Sequence, residues 1–128
     1  MQSAVVRGIR GAVDVSANTA PKILKATKEL LQTMQQKNSL EKETIAAVIF
    51  SMTRDLNAVF PAQAARQLGW GDVPLFCTVE IDVPGALPRC IRILMLVNSV
   101  KELQEIKHVY LGGTVALRKD LAGEGTGN

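Results

Sequence analysis

The chain's 128 residues suffice for one domain with its own core, and 47% hydrophobic with 21% charged residues exclude a disordered polymer. A net charge of +3 invites nucleic acid as a partner, but the lysines are scattered and aromatics make up only 4%, so neither a basic cluster nor stacking platforms exist. No apolar run approaches the roughly 20 residues that span a bilayer, and "MQSAVVRGIRG" lacks a signal-peptide pattern; the expectation is a soluble cytoplasmic protein without a membrane partner.

In chain order, "AVVRGIRGAV" reads as a strand that places Val6, Gly8, Arg10 and Ala12 on one face. "SANTAP" announces a helix, with Asn18 or Thr19 as N-cap and Pro21 in the first turn. Ile23, Thr27, Leu30, Leu31 and Met34 recur at helical spacing, and Asn38 ends the run. Ser39 to Thr44 read as a turn or a single helical turn. Ile45 to Met52 fit a buried strand and a continuing helix equally, because periodicity does not separate the two. Pro61 begins a short helix that stops at Gly69. "VPLFCTVEIDV", the turn "PGALP" and "LPRCIRILMLVN" read as a hairpin. A short strand follows around Val109, then a last strand in "GGTVALR", then a polar, glycine-rich tail. The sum is one long helix, one short helix and about five strands of a mixed sheet, an α+β domain.

Arg92 is the anomaly in this pattern. It shares a strand face with Cys90, Leu94 and Leu96, while Ile91, Ile93, Met95 and Val97 take the other face. A buried charge without a partner costs several kcal/mol, so Arg92 requires an anion. Glu80 of "VEIDV" is the internal candidate, and a bound anion is the external one; spacing leaves both open. Arg7, Arg10, Arg66, Arg89 and Arg118 also lie in or beside apolar segments, an arrangement suited to a small, multiply anionic ligand.

Other chemistry is scarce. His108, the sole histidine, reads as a hydrogen-bonded surface imidazole. Cys77 and Cys90 form no metal-binding spacing and read as buried free thiols. Neither Ser51 nor Ser99 belongs to a nucleophile motif, and Tyr110 reads as a core or boundary residue whose hydroxyl wants a partner.

Four stretches in order, "VRGIRGA", "LNAVFPAQAAR", "VPLFCTVEIDVPGALPRCIR" and "KHVYL…VALRKDL", resemble the bacterial monofunctional AroH-type chorismate mutases, from about Val6 to Leu121. The resemblance implies a homotrimer whose sheets form a central pseudo-barrel, with active sites at subunit interfaces. It implies a single domain over residues 1–121 followed by a flexible tail, 122–128. The implied reaction is the Claisen-type [3,3]-sigmatropic rearrangement of chorismate to prephenate, in phenylalanine and tyrosine biosynthesis, with no cofactor and no metal.

Carried over by residue, the resemblance makes Arg92 the group facing the ether oxygen and a carboxylate, and Glu80 the group near the ring hydroxyl, with Cys77 beside it. Arg10 and Tyr110 match groups that hold a carboxylate. Phe60, Ala62 and Arg66 match a wall lent by the neighbouring subunit, and Leu75 and Phe76 line the pocket. Leu117 and Arg118 match the mobile C-terminal segment. The catalytic set implied is Arg92, Glu80 and Arg10.

Two features depart from a simple transfer. Gln63 stands where some relatives carry lysine, and Cys77 and Glu80, three apart, fall on opposite faces of a regular strand unless a bulge intervenes. Two rivals differ in kind: a trimeric imine deaminase of the Rid family, with an interface arginine for a carboxylate, and a non-catalytic trimer that binds an aromatic-pathway metabolite.

Overall fold

The structure, a computed structural model, describes residues 3–119, with the backbone alone for Arg118 and Lys119. The tail at 122–128 lies outside the described residues. Five strands form one sheet: β1 (Val5–Asp14), β2 (Ile45–Met52), β3 (Leu75–Val79), β4 (Cys90–Ser99) and β5 (Val109–Tyr110), in the order β3-β2-β4-β1-β5. The central pairs are antiparallel, β4 against β1 and against β2, while both edge strands pair parallel, β3 with β2 and β5 with β1. Among the described residues three α-helices accompany it: α1 (Ala20–Lys37), α2 (Ala62–Gln67) and α3 (Val115–Lys119).

Of the two cap candidates Thr19 takes the role, its side chain accepting the Lys22 N–H at 3.4 Å with Pro21 in the first turn. Asn18 ties down a distant loop instead, donating to Asn57 Oδ1 at 2.8 Å and accepting from the Asn57 and Ala58 N–H groups. The apolar stripe of α1 (Ile23, Leu30, Leu31, Met34) buries itself against Ile9 and Val13 of β1, Ile91, Ile93 and Met95 of β4, and Val48 and Phe50 of β2. Each such side chain contributes roughly 1.5–3 kcal/mol on leaving water. Helix and sheet meet most closely at Gly11, where a β-carbon would stand 2.5 Å from Met34 Sδ.

Residues 45–52 resolve as strand, since every second residue there (Val48, Phe50) is buried beneath α1. Two sequence expectations fail. The segment around residues 73–83 does not form a hairpin with β4; it ends as a strand at Val79 and pairs parallel with β2. A single further bond, Glu80 N–H to the Met52 carbonyl at 2.9 Å, carries the pairing just past the strand.

"GGTVALR" is not a strand either. Gly112 has φ of 61°, the Gly113 N–H binds Asp14 Oδ1 at 2.9 Å, and the Thr114 hydroxyl lies 2.6 Å from the Leu111 carbonyl. These contacts wind the chain into a tight turn at Gly112–Thr114 that continues as α3.

With α1 on one face, the other face of the sheet carries no helix among the described residues. The expected set of Val6, Gly8, Arg10 and Ala12 points there, together with Arg92, Leu94 and Leu96 of β4 and Ile49 and Ser51 of β2.

Candidate active site

A cavity of about 240 Å³ opens on this uncovered face, lined by Arg10, Ile49, Ser51, Arg92, Leu94 and Tyr110. Strand pairing explains the convergence. Ala12 faces Arg92 across β1–β4, Ser51 faces Arg92 across β2–β4, and Ala12 faces Tyr110 across β1–β5. Directly paired residues project to the same side, so β4, β2 and, across β1, β5 deliver one arginine, one serine and one tyrosine to one face.

Glu80 reaches this cluster from just past the end of β3. Its Oε1 accepts from the Ser51 hydroxyl, and its Oε2 stands 3.8 Å from Arg92 Nε. Internal anion and external ligand are therefore compatible. The ion pair is loose, and both side chains keep 30% of their surface exposed on the cavity side of the sheet. Sequence reasoning missed Ser51, because only the β2–β4 register reveals that it bridges strand and carboxylate.

His108 is half-buried and bonded to the main chain rather than lying on the surface. Its Nδ1 accepts the Arg10 main-chain N–H at 2.9 Å. Burial, together with the nearby Arg10 charge, lowers its pKa below the usual 6.5 and favours the neutral ring that such acceptance requires.

The remaining arginines divide by partner. Arg7 Nε donates to the Lys101 carbonyl and Arg89 Nε to the Val15 carbonyl, both at 2.9 Å, which makes these two braces of the fold. Arg66 is exposed on α2, beside the exposed Gln63. The side chain of Arg118 lies outside the described residues, and Leu117 is half-buried in α3.

Phe60 and Cys77 sit elsewhere. With Met52, Leu56, Val59 and Val79 they line a larger, mostly apolar hollow of about 630 Å³ that shares no lining residue with the arginine cavity. Ala62 is buried at the start of α2, Leu75 is half-buried, and Phe76, opposite Ile49, is 65% exposed on the uncovered face. The β2–β3 register runs unbroken from Val48–Leu75 to Met52–Val79, so no bulge intervenes. Cys77 pairs with Phe50 and faces the helix side, while Glu80 joins Ser51 on the other. A single chain thus gathers Arg10, Glu80, Arg92 and Tyr110 and leaves Phe60, Arg66 and Cys77 apart from them.

Both cysteines are free; Cys90 is buried, which pushes its thiol pKa up and keeps it inert, and Cys77 is half-buried. Among the described residues no three His, Cys, Asp or Glu side chains cluster as a metal would need, and no helix is long and apolar enough to cross a membrane. The cavity offers two guanidinium groups and a phenol, with the Glu80 carboxylate beside it, bound to Ser51. Such a set binds and polarises an organic dianion; its donors are fixed by strands before any ligand arrives.

Comparison with known proteins gives this arrangement a context. A family model described as chorismate mutase type I matches residues 6–121. The chain is 49% identical over 118 residues to chorismate mutase AroH of Thermus thermophilus, covering 91% of this chain and 97% of that one. It is 44% identical over 119 residues to chorismate mutase AroH of Bacillus subtilis, covering 92% and 94%. Among solved structures, a chorismate mutase from Clostridium thermocellum superposes with a TM-score of 0.86 at 51% identity, over 87% of this chain and 99% of that one.

Proposed function

This chain belongs to the chorismate mutase type I family, and from that membership we infer that it is an isomerase converting chorismate to prephenate, a step of aromatic amino acid biosynthesis. The observation that carries the reading to a mechanism is the Arg10–Ser51–Glu80–Arg92–Tyr110 cluster on the uncovered face. A Claisen rearrangement needs no proton transfer and no covalent intermediate. What it needs is a compact conformer and compensation of charge as the C–O bond breaks.

Arg10 and Tyr110 hold a carboxylate and thereby restrict the substrate's conformers. Arg92 meets the negative charge that grows on the ether oxygen, and its planar fork also grips a carboxylate. Glu80, oriented by the Ser51 hydroxyl, lies near the ring hydroxyl and balances the positive character that develops in the ring. An acceleration of even 10⁶-fold corresponds to about 8 kcal/mol, more than one of these groups supplies alone.

The finer proposal is a homotrimer with the sheets forming a pseudo-barrel and each active site shared between protomers. Three observations support it. The uncovered sheet face presents Val6, Leu94 and Phe76 to solvent. Ile81 and Phe60 are 79% and 71% exposed. Clustered apolar exposure of this kind marks an interface. The two hollows share no residue, and a second copy bringing its Phe60, Ala62 and Arg66 to the arginine cavity would complete the family's set, with Leu75, Phe76 and Cys77 lining the pocket. Leu117 then borders the site from the C-terminal side. A single domain over 1–121, absence of cofactor and a cytoplasmic location belong to the same proposal.

The imine deaminase and the silent metabolite sensor are not favoured by the family match. The test is direct: loss of chorismate's ultraviolet absorbance on adding the protein, beside an assay with an imino acid. Turnover of chorismate alone supports the mutase. Turnover of the imino acid, or tight chorismate binding without turnover, supports one of the rivals instead.

A further inference from the structure

We propose that His108 is a positioning residue for this reaction: its ring nitrogen stands in for a missing rung between β1 and β5 and so aims both the Arg10 guanidinium and Tyr110 into the cavity. The proposal rests on the reading of Arg10 and Tyr110 as the carboxylate-holding groups.

β5 is only two residues long. It pairs Gly11 with Val109 and Ala12 with Tyr110, and the Leu111 N–H closes onto the Ala12 carbonyl at 2.9 Å. Continued one rung back, a parallel ladder of this register would send the Arg10 N–H to the Lys107 carbonyl. That carbonyl is engaged elsewhere. Asn38, buried at the end of α1, donates to it from Nδ2 and accepts the Lys107 N–H at Oδ1, both at 2.9 Å. The Arg10 N–H therefore turns to His108 Nδ1.

One imidazole consequently couples two parts of the site. It fixes the main chain of Arg10, from which the guanidinium leaves the sheet, and it belongs to the segment that carries Tyr110 two residues later. Acceptance at Nδ1 demands the neutral ring with its proton on Nε2. The charged neighbour is Arg10 on β1, whose like charge opposes protonation, and α1 contributes the neutral Asn38 through Lys107. A proton on Nδ1 would set one N–H against another and part the strands at Arg10.

His108→Asn and His108→Leu in the full chain separate this role from simple packing. Asparagine Oδ1 takes nearly the place of Nδ1 and accepts without titrating; leucine fills space and accepts nothing. At neutral pH His108→Leu raises KM for chorismate by about tenfold, the scale of a lost hydrogen bond to a partly buried donor, with a smaller effect on kcat. His108→Asn recovers most of that loss. The wild type's rise in KM on acidification below pH 6.5 is absent from His108→Asn. The Arg10 amide exchanges slowly in the wild type and in His108→Asn, and fast in His108→Leu. A wild-type KM in His108→Leu, or equal impairment of both variants, overturns the proposal. Should the wild type fail to convert chorismate, the proposed activity falls, and Arg10 exchange alone then judges the coupling: unchanged protection in His108→Leu refutes it.

Discussion

Replacing Arg92 separates catalysis from stability because the two costs differ in size. In the folded chain its main electrostatic partner is Glu80, 3.8 Å away, with both side chains 30% exposed. Unit charges near 4 Å attract by about 1 kcal/mol in water and about 4 kcal/mol at an effective dielectric of 20. Exposure and loose geometry put this pair at the low end. Arg92 also projects from the face opposite α1, so truncation opens no void in the helix–sheet core. Arg92→Ala should then cost about 1 kcal/mol or less of folding free energy, read from the urea midpoint. Against an ether oxygen gaining charge in a site emptied of water, the same group is worth on the order of 10²–10³ in rate, about 3–4 kcal/mol. The assay is kcat from the loss of chorismate absorbance, alongside urea unfolding of the same preparation. Arg92→Lys should remain well below wild type, since a point charge does not reproduce the fork. A kcat within about threefold of wild type for Arg92→Ala would refute the role, as would a rate loss matched by an equal loss of stability.

Other consequences are independent of that test. Gly11→Ala drives a β-carbon into Met34 Sδ and within 3.1 Å of Leu30 Cδ1, and should destabilise by about 1–3 kcal/mol in urea unfolding. Asn38→Ala strips both the N–H and the carbonyl of Lys107 of their partner, which should cost about 2 kcal/mol in urea unfolding. The lowered His108 pKa has a defined sign: below pH 6.5 the unfolded chain takes up this proton before the folded one does. Its contribution to stability is thus complete above 6.5 and lost as pH falls from there to the lower folded value. Urea midpoints across that window should fall more steeply for wild type than for His108→Asn; parallel curves would show that the ring does not titrate as described.

Local patterns in the sequence go far here. The parity of β1 places Arg10 on the correct face, the Thr19–Pro21 start and Asn38 stop bound α1, and the parity of β4 isolates Arg92 from the α1-facing isoleucines. What sequence does not reveal is pairing. Glu80 was expected to reach Arg92 across a β3–β4 hairpin; it does so across β2, through Ser51, because β3 crosses over to the far edge. "GGTVALR" carries β-forming valine and threonine, yet the Asp14 carboxylate and the positive φ of Gly112 wind it into a turn and helix. Partners 98 and 99 residues distant decide His108 and Gly113, and no window of sequence contains both members of either pair.

A crystal structure of the protein with a bicyclic mimic of the rearranging substrate tests the central claim most directly. The account predicts the mimic on the uncovered sheet face, an Arg92 nitrogen about 2.9 Å from its ether oxygen, and Phe60 of a second copy against its other side. A mimic bound away from β4, or one that leaves the Arg92 guanidinium in open solvent, would contradict it.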